Sequence, residues 1–187
     1  MTKIRNIETP LTIETIASLH AGDLVSITGH IYTARDAAHK RIIELIKKDS
    51  PLPFELEGQV IYYTGPAPAK PGSPIGPAGP TTSYRMDPYT PPLLEKGLKG
   101  MIGKGLRSPE VINSMKKNHV VYFAAIGGAA AVIAKSIKYS EIIAWNDLGA
   151  EAVRKLYVEK FPAIVVIDEK GNDLYETEPE KYSCIEL

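Results

Sequence analysis

From Gly65 to Pro80 the chain reads GPAPAKPGSPIGPAGP, a run made almost entirely of Gly, Pro, Ala and Ser. Eleven of the fifteen prolines lie between Pro51 and Pro92. Proline fixes φ and removes an amide donor, so this run holds neither a helix nor an inner strand. It is either a flexible linker between two domains or an ordered loop whose backbone passes close to a ligand. A linker needs a self-sufficient domain on each side, and the residues before it are marginal for that. The ordered loop is therefore preferred. A chain of 187 residues suits one ordinary domain, which buries roughly 70% of its unfolded surface without staples. The expected organisation is a single domain over 1–187 with an ordered loop at 65–80 and a C-terminal tail from about 173.

Composition removes several classes of function. The 22 basic and 22 acidic side chains cancel, and a dedicated nucleic-acid binder usually carries a basic excess. One cysteine, Cys184, forms no internal disulfide and cannot by itself hold a zinc or iron–sulfur site. No apolar segment opens the chain at Met1 to Asn6, so no secretory signal is expected. The longest apolar run, Val120 to Ala134, is broken by Gly127-Gly128 and falls short of the roughly 20 residues of a spanning helix. It reads as a buried strand entering a small-residue helix. The expectation is a soluble, cytoplasmic protein that binds neither nucleic acid nor membrane.

Patterning places the elements. Asp23 to Ala34 is β-rich with a bulge or bend at Gly29,. Asp36 to Lys48 has Ile42, Ile43, Leu45 and Ile46 on one side and ends in cations, an amphipathic helix,. Gln59 to Thr64 is a strand feeding the loop, and Met86 to Lys96 an irregular helix. Lys99 to Gly103 is a short strand. Ser108-Pro109-Glu110 then caps a helix running to about Asn118,. Further strands are Val120 to Ala125, Ile137 to Trp145, Leu156 to Phe161 and Ala163 to Asp168, the last closed by a Lys170-Gly171-Asn172 turn. Gly127-Gly128 opens a helix at Ala129 to Ala134. Strands and short helices alternate, so the class is α/β.

Three clusters combine anion-binding groups with glycine or a helix start. In Thr33 to His39 (TARDAAH), Arg35 sits at a strand end, while Asp36 and His39 share a helical face,. The structural alternative is a capping Asp36, a packed His39 and a solvated Arg35. In Gly79 to Asp87 (GPTTSYRMD), the hydroxyls of Thr81, Thr82 and Ser83 precede Arg85. That set suits a carboxylate or phosphate, and the alternative is an ordinary helix cap. In Gly103 to Ser108 (GKGLRS), Lys104 lies between two glycines without a GxxxxGK[ST] pattern, which discounts nucleotide binding,. Together they offer cations and hydroxyls but no evident general base, unless His39 or an activated hydroxyl serves.

TARDAAHKR (Thr33 to Arg41), GPTTSYRMD (Gly79 to Asp87), KGLRS (Lys104 to Ser108), IGGAAAV (Ile126 to Val132) and FPAIVVIDEKGN (Phe161 to Asn172), in this order, resemble one family. It is the β subunit of the two-subunit iron–sulfur hydro-lyases, class I fumarate hydratase and L-tartrate dehydratase, also found as the C-terminal domain of single-chain class I fumarases. The resemblance runs from about Leu11 to Asn172, and the pairing of GPTT-x-x-RM with ARD-x-x-H is its specific part.

The resemblance implies a swivelling β/β/α domain, a layered sheet or partial barrel flanked by short helices. It implies reversible hydration of fumarate to L-malate, with L-tartrate dehydration or a non-catalytic dicarboxylate-binding module as alternatives. It implies a 4Fe-4S cluster ligated by a cysteine-bearing α subunit and not by this chain, hence an αβ or higher hetero-oligomer with the site at the subunit junction. By position, Thr81 matches the proposed catalytic base, Arg35 and Arg85 the arginines that grip carboxylates, and Lys104 the lysine of the family's KGNRS segment. Thr82 is a further substrate-binding candidate, and His39 a secondary catalytic candidate that orients Asp36 or relays protons. No metal ligand is expected in this chain. There are departures: Leu106 stands where fumarases usually carry asparagine, and Ser83-Tyr84 is closer to the tartrate-type spelling. TARDAAH lacks the cysteines of the tartrate-type TCRDVCH, and KG-x-RS and FPAIVVID spell as fumarase, so fumarate leads.

Overall fold

Two long antiparallel strands organise the protein, whose computed structural model describes residues 4–125 and 130–182. They are β2 (Leu24–Thr33) and β7 (Val153–Ile167), paired from Leu24 opposite Ile164 to Thr33 opposite Arg154. Three short parallel strands, β3 (Val60–Tyr62), β4 (Gly100–Gly103) and β5 (Val121–Ala124), follow β2 in order, and β5 returns antiparallel to β7. This closes a five-stranded barrel. Two strands extend it outside the ring: β1 (Arg5–Thr9), parallel to β2, and β6 (Ile137–Ala144), antiparallel to β7.

The helices are α1 (Ile13–Ser18), α2 (Asp36–Lys47), α3 (Thr90–Glu95), α4 (Pro109–Asn118), α5 (Ala130–Ser136) and α6 (Leu174–Tyr182), with 3-10 helices at Ser83–Tyr89 and Asn146–Glu151. Strands β3 to β5 are buried on both faces, as parallel strands under helices are. Val60, Tyr62, Ile102, Val121 and Phe123 join Ile27, Ile31 and Leu156 in one cluster. The alternate residues Ile61, Met101 and Tyr122 face a second cluster with Ile42 of α2, Leu93 and Leu94 of α3, and Val111 and Met115 of α4. The α/β class and the barrel with flanking short helices agree with the expectation.

The bulge falls between Ile27 and Gly29. Gly29 has φ 124°, and a Cβ there would meet the Thr9 carbonyl oxygen at 2.8 Å, so only glycine lets β1 end against β2. Ser108 caps α4 by accepting from the Val111 amide, as its spacing predicts.

Three features differ from the sequence reading or extend it. β1 and α1 precede Asp23, where no element was expected. The two strands read at Leu156 to Phe161 and Ala163 to Asp168 are one strand, β7. Lys160 takes a left-handed turn at φ 52° inside it, and Pro162 falls between the β6 and β5 pairings, where that edge of β7 needs no donor,. The segment from 173, read as a tail, carries α6, whose Leu174 and Tyr175 pack on the second cluster. Ile126 to Ala129, including the expected helix opening at Gly127-Gly128, and Cys184 lie outside the described residues. Among the described residues no helix is long and apolar enough to cross a membrane.

The Gly/Pro segment is pinned at several points. Tyr62 donates its hydroxyl to the Ala78 carbonyl at 2.5 Å, Thr64 donates to the Gly79 carbonyl at 2.8 Å, and Ala67 and Pro77 close the loop on itself through a backbone bond of 3.0 Å. Ile75 and Ala78 are buried in the first cluster.

Candidate functional site

Where β2 ends and α2 begins, Thr33 is wholly buried. Its hydroxyl donates to the Ala152 carbonyl and accepts from the Arg154 amide. This fixes the strand end, and Arg35 then takes an extended conformation (φ −125°) as the N-cap of α2. The helix-opening amide of Ala37 donates to Glu151 Oε2 at 2.9 Å, so a side chain from the Asn146–Glu151 helix caps α2,. Glu151 Oε1 also lies 3.3 Å from Arg35 Nη2.

His39 sits one turn into α2 with no exposed surface, its ring edge-on to Tyr63 at 5.4 Å. Its Nδ1–H donates to the Arg35 carbonyl at 2.9 Å; a carbonyl only accepts, which sets the tautomer. Burial pushes the imidazole down to about 4, the bond to the Arg35 carbonyl opposing and the Arg107 guanidinium assisting,. His39 is therefore neutral at pH 7. Its bonded nitrogen holds the Arg35 backbone rather than the Asp36 carboxylate, and Nε2 is buried without a hydrogen-bond partner among the described residues.

The second cluster is brought over α2 by the loop. Thr81 donates its amide to the Tyr63 carbonyl at 2.7 Å at the end of β3. The Ser83–Tyr89 helix then turns Arg85 back, so that its Nη2 donates to Thr81 Oγ1 at 2.6 Å and lies 3.3 Å from Asp36 Oδ2. Arg35 Nη2 reaches the same Asp36 oxygen at 3.8 Å. That oxygen is ion-paired by distance but makes no aligned hydrogen bond, and Arg35 Nε is likewise buried and unbonded. Arg35, Arg85, Asp36 and Thr81 thus converge.

Lys104 is placed beside them through the backbone. Thr82 and Lys104 form a parallel bridge, the Ser83 amide donates to the Lys104 carbonyl at 2.9 Å, and the Lys104 amide donates to Ser83 Oγ at 3.1 Å. The Lys104 side chain is exposed and unpaired among the described residues, and Thr82 is half-buried next to it. Four of the six candidates (Arg35, Arg85, Thr81 and Asp36's neighbour His39) meet around α2, while Lys104 and Thr82 form the adjoining rim. Two guanidiniums, a hydroxyl and an ammonium are groups that can pair with a small anion, each charge-assisted contact being worth about 1.5–3 kcal/mol, although Asp36 and Glu151 already face the arginines.

Sequence reasoning missed three supports. Glu151 has no motif around it and is found only through the fold. Gly65 opens the loop against Arg35: a Cβ there would meet Arg35 Nη1 at 2.6 Å. Arg107, inside the KGLRS run, is fully buried. It donates to Asp87 Oδ1 at 2.7 Å and to Thr90 Oγ1 at 2.9 Å, and it stacks over Tyr63 and Tyr122 at 5.5 and 5.2 Å. Asp87 Oδ2 accepts the Ser108 amide at 2.6 Å. This pair ties the arginine-bearing helix to the lysine loop, and an arginine three residues after a glycine-flanked lysine was the available signal.

Among the described residues no group of three or more His, Cys, Asp or Glu side chains is placed to hold a metal ion, and the one cysteine is Cys184. An iron–sulfur cluster is held by several thiolates, so this donor set does not fit a cluster of the chain's own.

Comparison with known proteins finds relatives along most of the chain. The family described as Fumarase C-terminus matches residues 2–178. The putative L(+)-tartrate dehydratase subunit beta of Methanocaldococcus jannaschii is 40% identical over 172 residues, 89% of this chain and 88% of that protein. Fumarate hydratase 1, mitochondrial, of Leishmania major and the anaerobic class I fumarate hydratase of Escherichia coli are each 44% identical over 154 residues, 81% of this chain. The chain spans only 28% of the length of those two enzymes.

Proposed function

The chain belongs to the Fumarase C-terminus family, and from that premise we propose that it is the β subunit of an iron–sulfur hydro-lyase that interconverts fumarate and L-malate. The observation that carries this is the contact of Arg85 Nη2 with Thr81 Oγ1 at 2.6 Å, beside the Asp36 carboxylate that Arg35 also faces. Arg35 and Arg85 bind the substrate's carboxylates, displacing Asp36 from between them. In the direction from L-malate, Thr81 first loses its hydroxyl proton to solvent, its oxyanion held by the Arg85 guanidinium. Thr81 Oγ1 then takes the proton from the substrate carbon next to a carboxylate, the C–H electron pair forms the double bond, and the C–O bond of the neighbouring carbon breaks with loss of hydroxide. Lys104 and the two arginines then face the extra negative charge on that carboxylate. His39, neutral and behind Arg35, positions the helix start.

This chain's share is carboxylate binding and proton transfer. One cysteine is too few to hold a 4Fe-4S cluster,, so in this reading the cluster comes from a cysteine-bearing α partner, and the subunit name of the Methanocaldococcus jannaschii relative supports there being a partner. The test is anaerobic co-expression with such an α chain and measurement of fumarate loss. Arg85→Gln and Thr81→Ala are expected to lower turnover by about 10²-fold or more while the complex still elutes intact. Wild-type rates in both variants overturn the assignment.

The near full-length match to a putative L(+)-tartrate dehydratase subunit beta favours a second reading, L-tartrate as substrate. Rates of the same complex on L-tartrate, L-malate and fumarate decide between the two.

A further inference from the structure

A cavity of about 350 Å³ lies between the Gly/Pro loop and the segment that joins β6 to β7. Residues 66–69 and Ile75 of the Gly/Pro loop form one side, and Ile142 of β6 with Asn146, Gly149 and Ala150 the other. Arg154 of β7 lines it as its one charged residue. Its side chain makes no hydrogen bond or ion pair among the described residues, and its Nε is shielded from solvent and unbonded. Burial lowers its pKa, with no neighbouring charge opposing the shift. The acids nearest in the chain are engaged elsewhere: Glu151 with Arg35, Asp147 with Arg41, and Glu141 with the Tyr139 hydroxyl.

Arg154 is half-buried, with its Nε shielded from water and no counter-charge beside it, so an anion can complete its unpaired guanidinium,. The walls are Pro, Ala and Ile with one side-chain amide, Asn146, at the side. A mostly apolar cavity with one fork-shaped cation fits a single carboxylate on a compact apolar body. The loop that forms the roof is stiffened by its prolines and by the Ala67–Pro77 bond, so the cavity is preformed rather than assembled around a ligand. We propose that this cavity is a second binding site, separate from the Arg35–Arg85 cluster, for a small organic monocarboxylate anchored bidentately by Arg154. The proposal does not rest on the hydratase reading, because none of its residues belongs to the Thr81–Arg85 cluster.

The test is an NMR titration of the full chain with sodium isobutyrate, following backbone amides. Saturable shifts are expected at Ala67, Ala69, Gly149 and Ala150. Arg154→Leu should weaken them by about tenfold or more, the loss of one charge-assisted contact. Ile142→Trp, which fills the cavity and keeps the arginine, should abolish them. Arg85→Gln should leave them unchanged. The proposal is overturned by the absence of saturable shifts at those amides, or by shifts that survive both Arg154→Leu and Ile142→Trp. The amide spectrum of each variant shows whether it is folded. Should Arg154→Leu unfold, Ile142→Trp decides alone.

Discussion

His39 makes the stability of this protein depend on pH in a way that the structure quantifies. The imidazole is fully buried, and its value falls from the ordinary 6.5 to about 4. Between those two values the unfolded chain binds the proton and the folded protein does not, so stability rises with pH across that window and falls as the solution is acidified. The contribution is complete above about 6.5 and is fully lost below about 4. At pH 4.5 the loss is about 2.5 kcal/mol, from the two-state linkage relation with those two values. With a urea m-value of about 2 kcal/mol/M, the midpoint should drop by about 1.3 M relative to neutral pH.

Other groups titrate in the same range, so the measurement is a difference. His39→Asn keeps a donor within reach of the Arg35 carbonyl and cannot take a proton. Urea unfolding of both proteins, followed by circular dichroism from about pH 7.5 to about 4.5, gives their stability gap at each pH. The gap should shrink by about 2.5 kcal/mol in favour of the variant on going to the acid end. A gap constant to within about 0.5 kcal/mol would mean that the folded protein protonates His39 as readily as the unfolded chain, and the burial argument would fail.

Two further outcomes follow from the supports around the site. Asp87→Ala strips a fully buried Arg107 of its carboxylate and the Ser108 amide of its acceptor. Breaking one partner of such a pair costs about 3–5 kcal/mol, and an unfolding midpoint within error of wild type would refute the role of the pair. Gly65→Ala places a methyl against Arg35 Nη1 and should weaken dicarboxylate affinity by about tenfold through displacement of that arginine. Since the site is exposed to the loop, the stability change should stay under about 1.5 kcal/mol, and calorimetry showing unchanged affinity would remove Gly65 from the site.

Much of the fold is legible because its rules are local. The amphipathic spacing of Ile42, Ile43 and Ile46 yields α2, Ser108-Pro109-Glu110 starts α4, and the burial of β3 to β5 on both faces follows from their apolar runs,. β1 escaped because RNIET is short and polar and becomes a strand only by pairing with β2,. β7 was split in the reading because Pro162 normally ends an inner strand. Here it sits where one edge is free,.

By itself, then, the sequence determined which segments carry cations and hydroxyls, that Arg35 and Lys104 stand at the ends of strands, and that no thiolate cluster can be built from this chain. Side-chain chemistry and spacing within a few residues suffice for each of those statements. The tertiary structure alone decided that Arg85 reaches Thr81 and Asp36, that Glu151 caps α2, that Arg107 is buried against Asp87, and that Arg154 is left facing a cavity. Such contacts depend on the register between β2 and β7, which sets Thr33 opposite Arg154 from the other end of the chain. Register is a property of the closed barrel, and no window of neighbouring residues contains it.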